Sequence, residues 1–287
     1  SSVNHAHRIR SLLRRAPAGE LLYSCLAFHG PGQGGELPGS WLVSALESAG
    51  STRPAVRQTL FRLEREGQLS SRRTGRSKWY RLTATGEAQV SAGRDRLWPA
   101  APKRWDGRWT IVSAAFAAGE RHARLRLLSV LTARGYGHAG PGLHLHPYDE
   151  PGAVARLVTD LGLDHAVELF RAERAGAEDD RAFVQRAFPL RQIGLDYRRF
   201  LRDFLPFAQR TPVDGATAFA LRLATARRYL DAAWDDPGLP ARLLPPDWPA
   251  DKARQLAHQL YRRCAGPAHR FGAALALQAG VPWREEA

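Results

Sequence analysis

The stretch STRPAVRQTLFRLEREGQLSSRRTGRSKWYRL, residues 51–82, decides the fold of the N-terminal part of the chain. Its first half predicts a helix, because Ser51 or Thr52 can cap the N-terminus and a proline suits the first turn. Apolar residues then recur at helical spacing and predict one buried stripe. The stripe consists of Val56, Leu60 and Leu63. Arginine and glutamine occupy the remaining surface, so the helix is expected to present a polar face.

The second half of this stretch predicts a basic hairpin. Gly67 is a natural helix stop, and one strand begins at Leu69. The tripeptide Thr74-Gly75-Arg76 can turn the chain into a second strand over residues 78–82. A polar helix preceded by a helix–turn and followed at once by a basic hairpin is typical of a winged helix-turn-helix.

This arrangement predicts DNA binding. In a winged helix the second helix enters the major groove, where arginine and glutamine pair with base edges, while cations of the wing meet phosphates. The predicted DNA-binding residues are Thr52, Arg53, Arg57, Gln58, Arg62, Arg72, Arg73, Arg76 and Lys78. The alternative is a solvated helix and a charged hairpin that have no partner.

Charge is distributed unevenly along the 287 residues, whose formal net charge is +14. Residues 1–98 hold 15 Lys and Arg against 7 Asp and Glu, a net of +8, as a nucleic-acid-binding domain requires. Cys25 and Cys264 lie far apart among apolar residues, which indicates buried thiols in a reducing compartment. No apolar run approaches membrane-spanning length, so we expect a cytoplasmic protein without membrane contact.

The N-terminal part should contain further helices. Residues 1–16 are polar and basic, and we interpret them as a frayed terminus, with a DNA-contacting arm as the alternative. Helices are expected at 20–29 and 40–49, joined by a flexible glycine-rich connection at 30–39. Thr83 can cap another helix after the hairpin.

A boundary follows near Pro99 and Pro102. The next segments predict strand, helix, two strands, helix and strand, at residues 110–116, 121–134, 137–148, 153–161 and 166–171. This βαββαβ order is typical of a ferredoxin-like fold. In its first helix the residues expected to face inward are Leu125, Leu128 and Leu131.

From residue 178 onward the pattern is helical, with aromatic stripes at 197–205 and 219–234. The sequence therefore predicts a multidomain α+β protein. Its expected parts are a winged helix domain with a basic N-terminal arm, a ferredoxin-like central domain, and an α-helical domain for effector sensing and dimerisation, at residues 1–98, 99–176 and 177–287.

The order of these pieces resembles the PaaX-type transcriptional regulators, the repressor family of phenylacetic acid catabolism. The resemblance covers roughly residues 15–270. It rests on VRQTLFRL at 56–63 with YRLT at 80–83, on WDGRW at 105–109 with HP at 146–147, and on DPGLP at 236–240 with LLPPDWP at 243–249. The first block is common to winged helices, and the other two are more specific.

The resemblance implies a dimeric repressor that binds a palindromic operator and is released by an aryl-acetyl-CoA thioester such as phenylacetyl-CoA. It also implies a central domain shaped like the small CRISPR-associated ribonucleases of ferredoxin fold. Those nucleases place an aspartate at the end of their first strand, whereas this strand ends Ser113-Ala114-Ala115-Phe116. Because no carboxylate is present there, metal-dependent nuclease activity is not expected.

Two further groups of side chains are candidates for ligand binding. Arginine is the preferred partner of phosphate, which a CoA ester carries. The candidate effector-binding residues are Arg198, Arg199, Arg202, Arg222, Arg227 and Arg228, although an exposed arginine face without a ligand is the commoner case. His144 and His146, with His138 nearby, have metal-ligand spacing, but an ordinary polar strand face is favoured because no third ligand is comparably spaced.

No nucleophile elbow, P-loop or HExxH motif occurs, so neither a catalytic set nor a cofactor is expected. We predict a DNA-binding repressor of a phenylacetate-type catabolic operon. Two alternatives are a CoA-thioester-handling enzyme with a DNA-binding domain, and a PaaX-like regulator of an unrelated pathway with a different effector. A third is an RNA-binding module, but this would need basic and aromatic residues on the central strands, which residues 110–116 do not offer.

Overall fold

The computed structural model describes residues 2–13, 18–28, 35–99, 104–176, 179–209 and 214–280, with side chains from residue 7 onward and, in the second helix, through residue 26. The chain divides into two compact units. Unit 1 comprises Ser1–Pro99, Tyr197–Trp234 and Ala250–Ala287. Unit 2 comprises Ala100–Asp196 and Asp235–Pro249.

Within the described residues the chain forms twelve α-helices, seven strands and two short 3-10 helices. The N-terminal elements are α1 (Ser2–Leu13), α2 (Ala18–Phe28), β1 (Glu36–Pro38), α3 (Gly39–Ser48), α4 (Arg53–Arg65), β2 (Leu69–Thr74), β3 (Ser77–Leu82) and α5 (Ala84–Leu97). The central elements are β4 (Arg108–Ala114), α6 (Arg121–Ala133), β5 (Gly137–Gly140), β6 (Leu143–His146), α7 (Pro151–Asp160) and β7 (Val167–Glu173). The C-terminal elements are α8 (Asp180–Ala187), α9 (Leu190–Phe204), α10 (Gly215–Ala233), α11 (Ala250–Arg263) and α12 (Ala265–Gln278), with 3-10 turns at Leu205–Phe207 and Ala241–Leu243.

The helix predicted from residue 51 onward is α4, and its local signals act as expected. Thr52 is the N-cap, and its hydroxyl accepts a hydrogen bond from the Ala55 amide at 3.4 Å. The predicted stripe is buried, which confirms the helical phase. Gly67 follows the helix at φ +69°, a left-handed conformation that glycine adopts without strain.

The basic hairpin is also present and belongs to a three-stranded sheet. Strands β2 and β3 pair antiparallel along their whole length, with Gly75 in the turn at φ +59°. The short strand β1 pairs with the other edge of β3, where Leu37 lies opposite Tyr80. The prediction of a flexible connection at 30–39 is therefore wrong for β1, because a three-residue edge strand leaves no alternation to detect. Residues 29–34 lie outside the described part.

The N-terminal segment is helical, so the expectation of a frayed terminus at residues 1–16 is wrong for α1. Ile9 and Leu13 lie one helical turn apart and are buried, and α1 contacts α10. These two apolar residues give the segment a packing face despite its basic composition. Residues 14–17 are outside the described part of the chain.

Helix α10 lies among α1, α2, α5, α11 and α12 in unit 1, and most of its side chains are buried. Trp41 of α3 joins the same core, because its indole donates a buried hydrogen bond to the Gly272 carbonyl of α12 at 2.9 Å. Its ring meets Phe219 of α10 edge to face, with centroids 6.2 Å apart. The last three helices thus pack with the N-terminal elements, while the boundaries at residues 98 and 176 stay predictions.

Unit 2 contains a four-stranded antiparallel sheet of order β5-β6-β4-β7. Its elements follow one another as β-α-β-β-α-β, which confirms the predicted order. The core includes Val112 of the central strand, Leu127 and Leu131 of α6, and Val154 and Val158 of α7. Leu125 is 53% exposed, so its predicted inward position is wrong. The register of α6 instead turns Leu127 inward, since leucines at many positions fit more than one helical phase.

The WDGRW segment of unit 2 is a structural turn. The Asp106 carboxylate accepts a hydrogen bond from the Arg108 amide at 2.9 Å and two from the Arg171 guanidinium at 3.0 Å each. The Arg108 amide is the first cause of a lowered Asp106 pKa. The Arg242 guanidinium lies 4.3 Å from the Trp105 ring centroid. The segment therefore ties the start of β4 to β7 and to the Asp235–Pro249 segment. No helix in the described ranges is both long and apolar enough to cross a bilayer.

Candidate nucleic-acid interface

The outer face of α4 is polar and accessible. Arg57 and Gln58 are exposed, and neither makes a hydrogen bond or ion pair with another residue of the described chain. Arg65 is likewise exposed on the same helix. Phe61 lies among these residues with 60% of its surface exposed, which is unusual for a phenylalanine. The face therefore offers hydrogen-bond donors, an acceptor and an apolar ring to a partner.

Three other predicted residues of this region are engaged within the protein. Arg53 forms a two-pronged ion pair with Glu47, with nitrogen–oxygen distances of 2.8 and 3.2 Å. Arg62 pairs with Glu66 one turn later at 2.9 Å. Thr52 serves as the helix cap described above. Both guanidinium groups remain about half exposed, so each can still meet a second anion, but only by sharing or exchanging its carboxylate.

The tip of the hairpin carries two unpaired cations. Arg73 and Arg76 are exposed and flank the turn at Gly75, and neither has a hydrogen-bond or ion-pair partner in the described ranges. An arginine that has no internal partner keeps all its donors available for phosphate oxygens. These two side chains therefore form the cationic end of the hairpin, which we call the wing tip.

The other two hairpin cations hold the hairpin to the rest of unit 1. Lys78 donates to the Glu64 carboxylate of α4 at 2.7 Å, and the Ser71 hydroxyl donates to the same carboxylate at 2.5 Å. The Lys78 hydrogen bond is the first cause that lowers the pKa of Glu64. Arg72 pairs with Glu36 of β1 at 2.6 Å. The hairpin is thereby attached to α4 on one side and to β1 on the other.

The six arginines proposed as effector ligands fall into two classes. Arg198, Arg199 and Arg202 are exposed on α9, and Arg202 pairs with Asp203 at 3.0 Å. The other three, on α10, are partly buried and engaged with neighbouring side chains. The contacts are Arg222 over the Tyr261 ring at 3.9 Å, Arg227 with Glu20 at 2.8 Å and with Asp231, and Arg228 with Asp231 at 3.0 Å. The α10 arginines would have to leave these partners in order to bind a phosphate.

The three histidines of unit 2 do not gather a metal-ligand set. His138 and His144 lie side by side with ring centroids 5.1 Å apart. The Nδ1 atom of His146 instead accepts backbone hydrogen bonds from Tyr148 and Asp149 at 3.1 and 2.8 Å. Among the residues whose side chains are described, no group of three His, Cys, Asp or Glu is arranged to hold a metal ion.

Both cysteines are buried free thiols. Burial raises the pKa of the Cys264 thiol to about 11 and that of Cys25 further still, so neither is a reactive thiolate. The prediction of two buried thiols is confirmed.

Comparison with known protein families accounts for the order of these pieces. The family model described as PaaX-like protein matches residues 21–86, that of the PaaX protein central Cas2-like domain matches 102–184, and that of the PaaX-like protein C-terminal domain matches 188–274. The chain belongs to the PaaX family. All three parts of a PaaX-type regulator occur in it, in the order of the resemblance noted above.

A characterised relative and a solved structure extend this assignment. The PaaX-family chain is 29% identical to the transcriptional repressor PaaX of Escherichia coli (strain K12) over 250 residues, which are 83% of this chain and 78% of that protein. It also resembles the structure of the uncharacterized protein Rv0674 from Mycobacterium tuberculosis, with a TM-score of 0.56 and 21% identity, over 82% of this chain and 90% of that one. The second likeness concerns the fold alone.

Two residues of the interface were absent from the predicted set. Phe61 and Arg65 of this PaaX-family chain share the exposed side of α4 with Arg57 and Gln58. Their helical phase, read against the buried stripe, could have included them. The distinction between free and paired cations could not be found in this way, because Glu36 and Glu64 reach Arg72 and Lys78 across the sheet rather than along one helix.

Proposed function

We propose that this PaaX-family chain is a transcriptional repressor that reads operator DNA with α4 of a winged helix-turn-helix. The element order α2-β1-α3-α4-β2-β3 is that of a winged helix. The observation that carries the proposal is the coincidence of unpaired Arg57 and Gln58 on the reading helix with unpaired Arg73 and Arg76 at the wing tip. Free donors on both elements are what joint recognition of bases and phosphates requires.

In this proposal the nine predicted DNA-binding residues have different tasks. Arg57 and Gln58 contact base edges in the major groove, and Arg73 and Arg76 contact phosphates. The remaining residues support these contacts by holding α4 and the hairpin in position, and can contact phosphates secondarily. They are Thr52, Arg53, Arg62, Arg72 and Lys78.

The repressor acts in the cytoplasm as a homodimer on a palindromic operator. One reading helix contacts only a few base pairs, so two half-sites related by the dimer axis are needed for adequate specificity. The half-sites should lie about one helical turn, or a multiple of it, apart. The C-terminal helices supply the dimer contact in this proposal.

The central domain is a ferredoxin-like fold without nuclease activity. Its βαββαβ order and antiparallel sheet support this fold. The first strand ends Ser113-Ala114, and the next residues, Ala115 and Phe116, also lack a carboxylate. We therefore assign the chain no enzymatic role and no cofactor.

The effector is an aryl-acetyl-CoA thioester such as phenylacetyl-CoA, and the regulated genes form a phenylacetate-type catabolic operon. Family membership supports this choice. The exposed arginines of α9, Arg198, Arg199 and Arg202, are better placed to meet CoA phosphates than Arg222, Arg227 and Arg228, which have internal partners. The ligand must bind the DNA-free form more tightly than the DNA-bound form, because only differential affinity shifts the equilibrium.

Fluorescence anisotropy with duplexes from the intergenic region beside the gene tests the DNA-binding part. Arg57→Ala should weaken operator binding by about 1–3 kcal/mol and relax the preference at one base pair of each half-site. The matched control is Arg262→Ala, which removes an equally exposed arginine from α11. Equal operator affinity of Arg57→Ala and wild type would refute α4 as the reading helix.

Titration of the operator complex with phenylacetyl-CoA tests the effector separately. A coupling free energy of about 1–3 kcal/mol would weaken operator binding about 5- to 150-fold, and operator DNA must weaken phenylacetyl-CoA binding by the same factor. Free CoA serves as the control for phosphate binding alone. If the operator complex resists phenylacetyl-CoA and calorimetry detects no binding, the effector is wrong while the DNA-binding proposal is unaffected.

A further inference from the structure

A cleft in unit 2 is not used by the DNA-binding proposal. It has a volume of about 420 Å³ and lies where the end of β4, the first turns of α6 and the β5–β6 turn meet. Its apolar lining includes Phe116, Leu127, Leu128 and Pro141. Both this size and this lining are typical of sites for small organic molecules.

One rim of the cleft is cationic. Arg121 and Arg124, in the first turn of α6, line it, and neither side chain forms a hydrogen bond or ion pair with any residue in the described ranges. Glu120, the acidic residue of the lining, is already engaged. Its carboxylate accepts a hydrogen bond from the Ala117 amide at 2.7 Å and contacts His165 at 2.7 Å. The two free guanidinium groups thus stand at the positive end of a helix and attract an anion.

A buried imidazole faces the same cleft. His144 is only 6% exposed and lines the cleft, yet its ring nitrogens have no hydrogen-bond partner in the part of the chain that the structure describes. Burial, followed by the charges of His138 and Arg124, lowers the pKa of His144 to about 4. The ring is therefore neutral at physiological pH and has one N–H to donate. Buried polar groups normally have a partner, so a ligand atom is the expected one.

We propose that this cleft binds a compact carboxylate that carries an aryl or branched alkyl group. The carboxylate lies against Arg121 and Arg124, His144 donates a hydrogen bond to it, and the apolar group packs against Phe116 and Leu128. A metal ion is disfavoured because two guanidinium groups would repel it. A free phosphate would leave the apolar wall without a partner.

This inference is independent of the proposed function. The cleft shares no residue with α4, the wing tip or the six arginines assigned above to the effector. Binding is measured on the full chain without DNA, so its outcome does not depend on operator recognition.

Calorimetry and ligand-observed NMR with phenylacetate and benzoate test the inference, with benzyl alcohol and inorganic phosphate as the probes that lack one half of the ligand. Both carboxylates should bind, and the alcohol and phosphate should bind at least about tenfold more weakly. Arg124→Gln and His144→Gln should each weaken phenylacetate binding about 10- to 100-fold, the cost of losing one hydrogen bond to a charged group. Arg126→Gln is the matched control, because Arg126 is exposed on the same helix and does not line the cleft.

Three results would overturn the inference. They are the absence of carboxylate binding at 10 mM ligand, on the order of the weakest useful affinity, unchanged binding in both cleft variants, and equal losses in Arg126→Gln. Thermal melts of each variant separate loss of the site from loss of folding. If Arg124→Gln alone is unstable, His144→Gln and Arg121→Gln decide the result.

Discussion

The wing tip gives a prediction whose size follows directly from the free cations. Arg73 and Arg76 have no internal partner in the described chain, so the double variant Arg73→Ala/Arg76→Ala removes two phosphate contacts and no intramolecular bond. The free energy of unfolding should change by less than about 0.5 kcal/mol. Any change in DNA affinity can then be attributed to the contacts with DNA.

The magnitude appears in the salt dependence of binding. Each neutralised phosphate contributes about 0.9 to the slope of log K against log salt concentration. Losing two contacts lowers the slope by about 1.8 for each protomer, and by about 3.6 for a symmetric dimer. Between 50 and 200 mM salt, concentrations chosen because the slope is steep there, each lost contact removes about a 3.5-fold dependence, or about 12-fold for one double variant protomer.

Fluorescence anisotropy at four or more salt concentrations measures this slope. The matched control is Arg191→Ala/Arg262→Ala, which removes the same charge from exposed positions outside α4 and the hairpin. Charges more than about 10 Å from the DNA are screened at these salt concentrations, so the control slope should stay near that of wild type. The reasoning is refuted if the wing-tip slope changes by less than about 0.5, or if both double variants change it equally.

Three further predictions concern the framework behind the interface. Lys78→Ala removes the ion pair with Glu64 as well as a cation, so it should lower the free energy of unfolding by about 0.5–1.5 kcal/mol in urea titration, whereas Arg76→Ala should not. Gly86→Ala would place a Cβ 2.2 Å from the Gln68 carbonyl oxygen and should cost about 1–3 kcal/mol, whereas Gly93→Ala on the same helix meets ordinary contacts and should be neutral or stabilising. The pKa of His144 is lowered, so its stabilising effect is complete above pH 6.5 and is lost as the pH falls towards 4, by at most about 3 kcal/mol; unfolding of His144→Gln should show a flatter pH dependence, and identical profiles would contradict the assignment.

The elements that the sequence predicted well depend on local signals. Helix α4 carries its own cap, its own buried stripe and its own glycine stop within 15 residues from Thr52 to Glu66, all of which act between neighbours in the chain. The hairpin likewise follows from Gly75 and two strands in register. Nothing distant is needed to specify either element, so their prediction from the sequence alone was reliable.

The elements that were missed depend on distant partners. Helix α1 is stable because Ile9 and Leu13 are buried against unit 1, and its own composition gives no sign of that surface. Strand β1 has three residues and exists because β3 offers it an unpaired edge. Leu125 and Leu127 are equally apolar, and only the neighbouring sheet decides which of them faces inward.

The candidate site shows the same division at the level of single side chains. Sequence placed Arg76 and Lys78 together at one basic tip, but the structure separates them, because Glu64 lies 14 residues before Lys78 and meets it through the fold. The pairing converts one of two similar cations into part of the framework. A count of basic residues therefore overestimates the number of cations free to contact DNA, and α4 and the hairpin together keep fewer than the predicted set suggests.

Trp41 extends this reasoning from the interface to the rest of unit 1. The residue is fully buried, and its indole bonds to Gly272, 231 positions later in the chain. Helix α3, which carries Trp41, also packs against α4. The presentation of Arg57 and Gln58 consequently depends on a core that includes α10 and α12, although these helices are distant in sequence from the reading helix. A perturbation of that core can change operator affinity without touching any residue that contacts DNA, because it alters the support on which α4 rests.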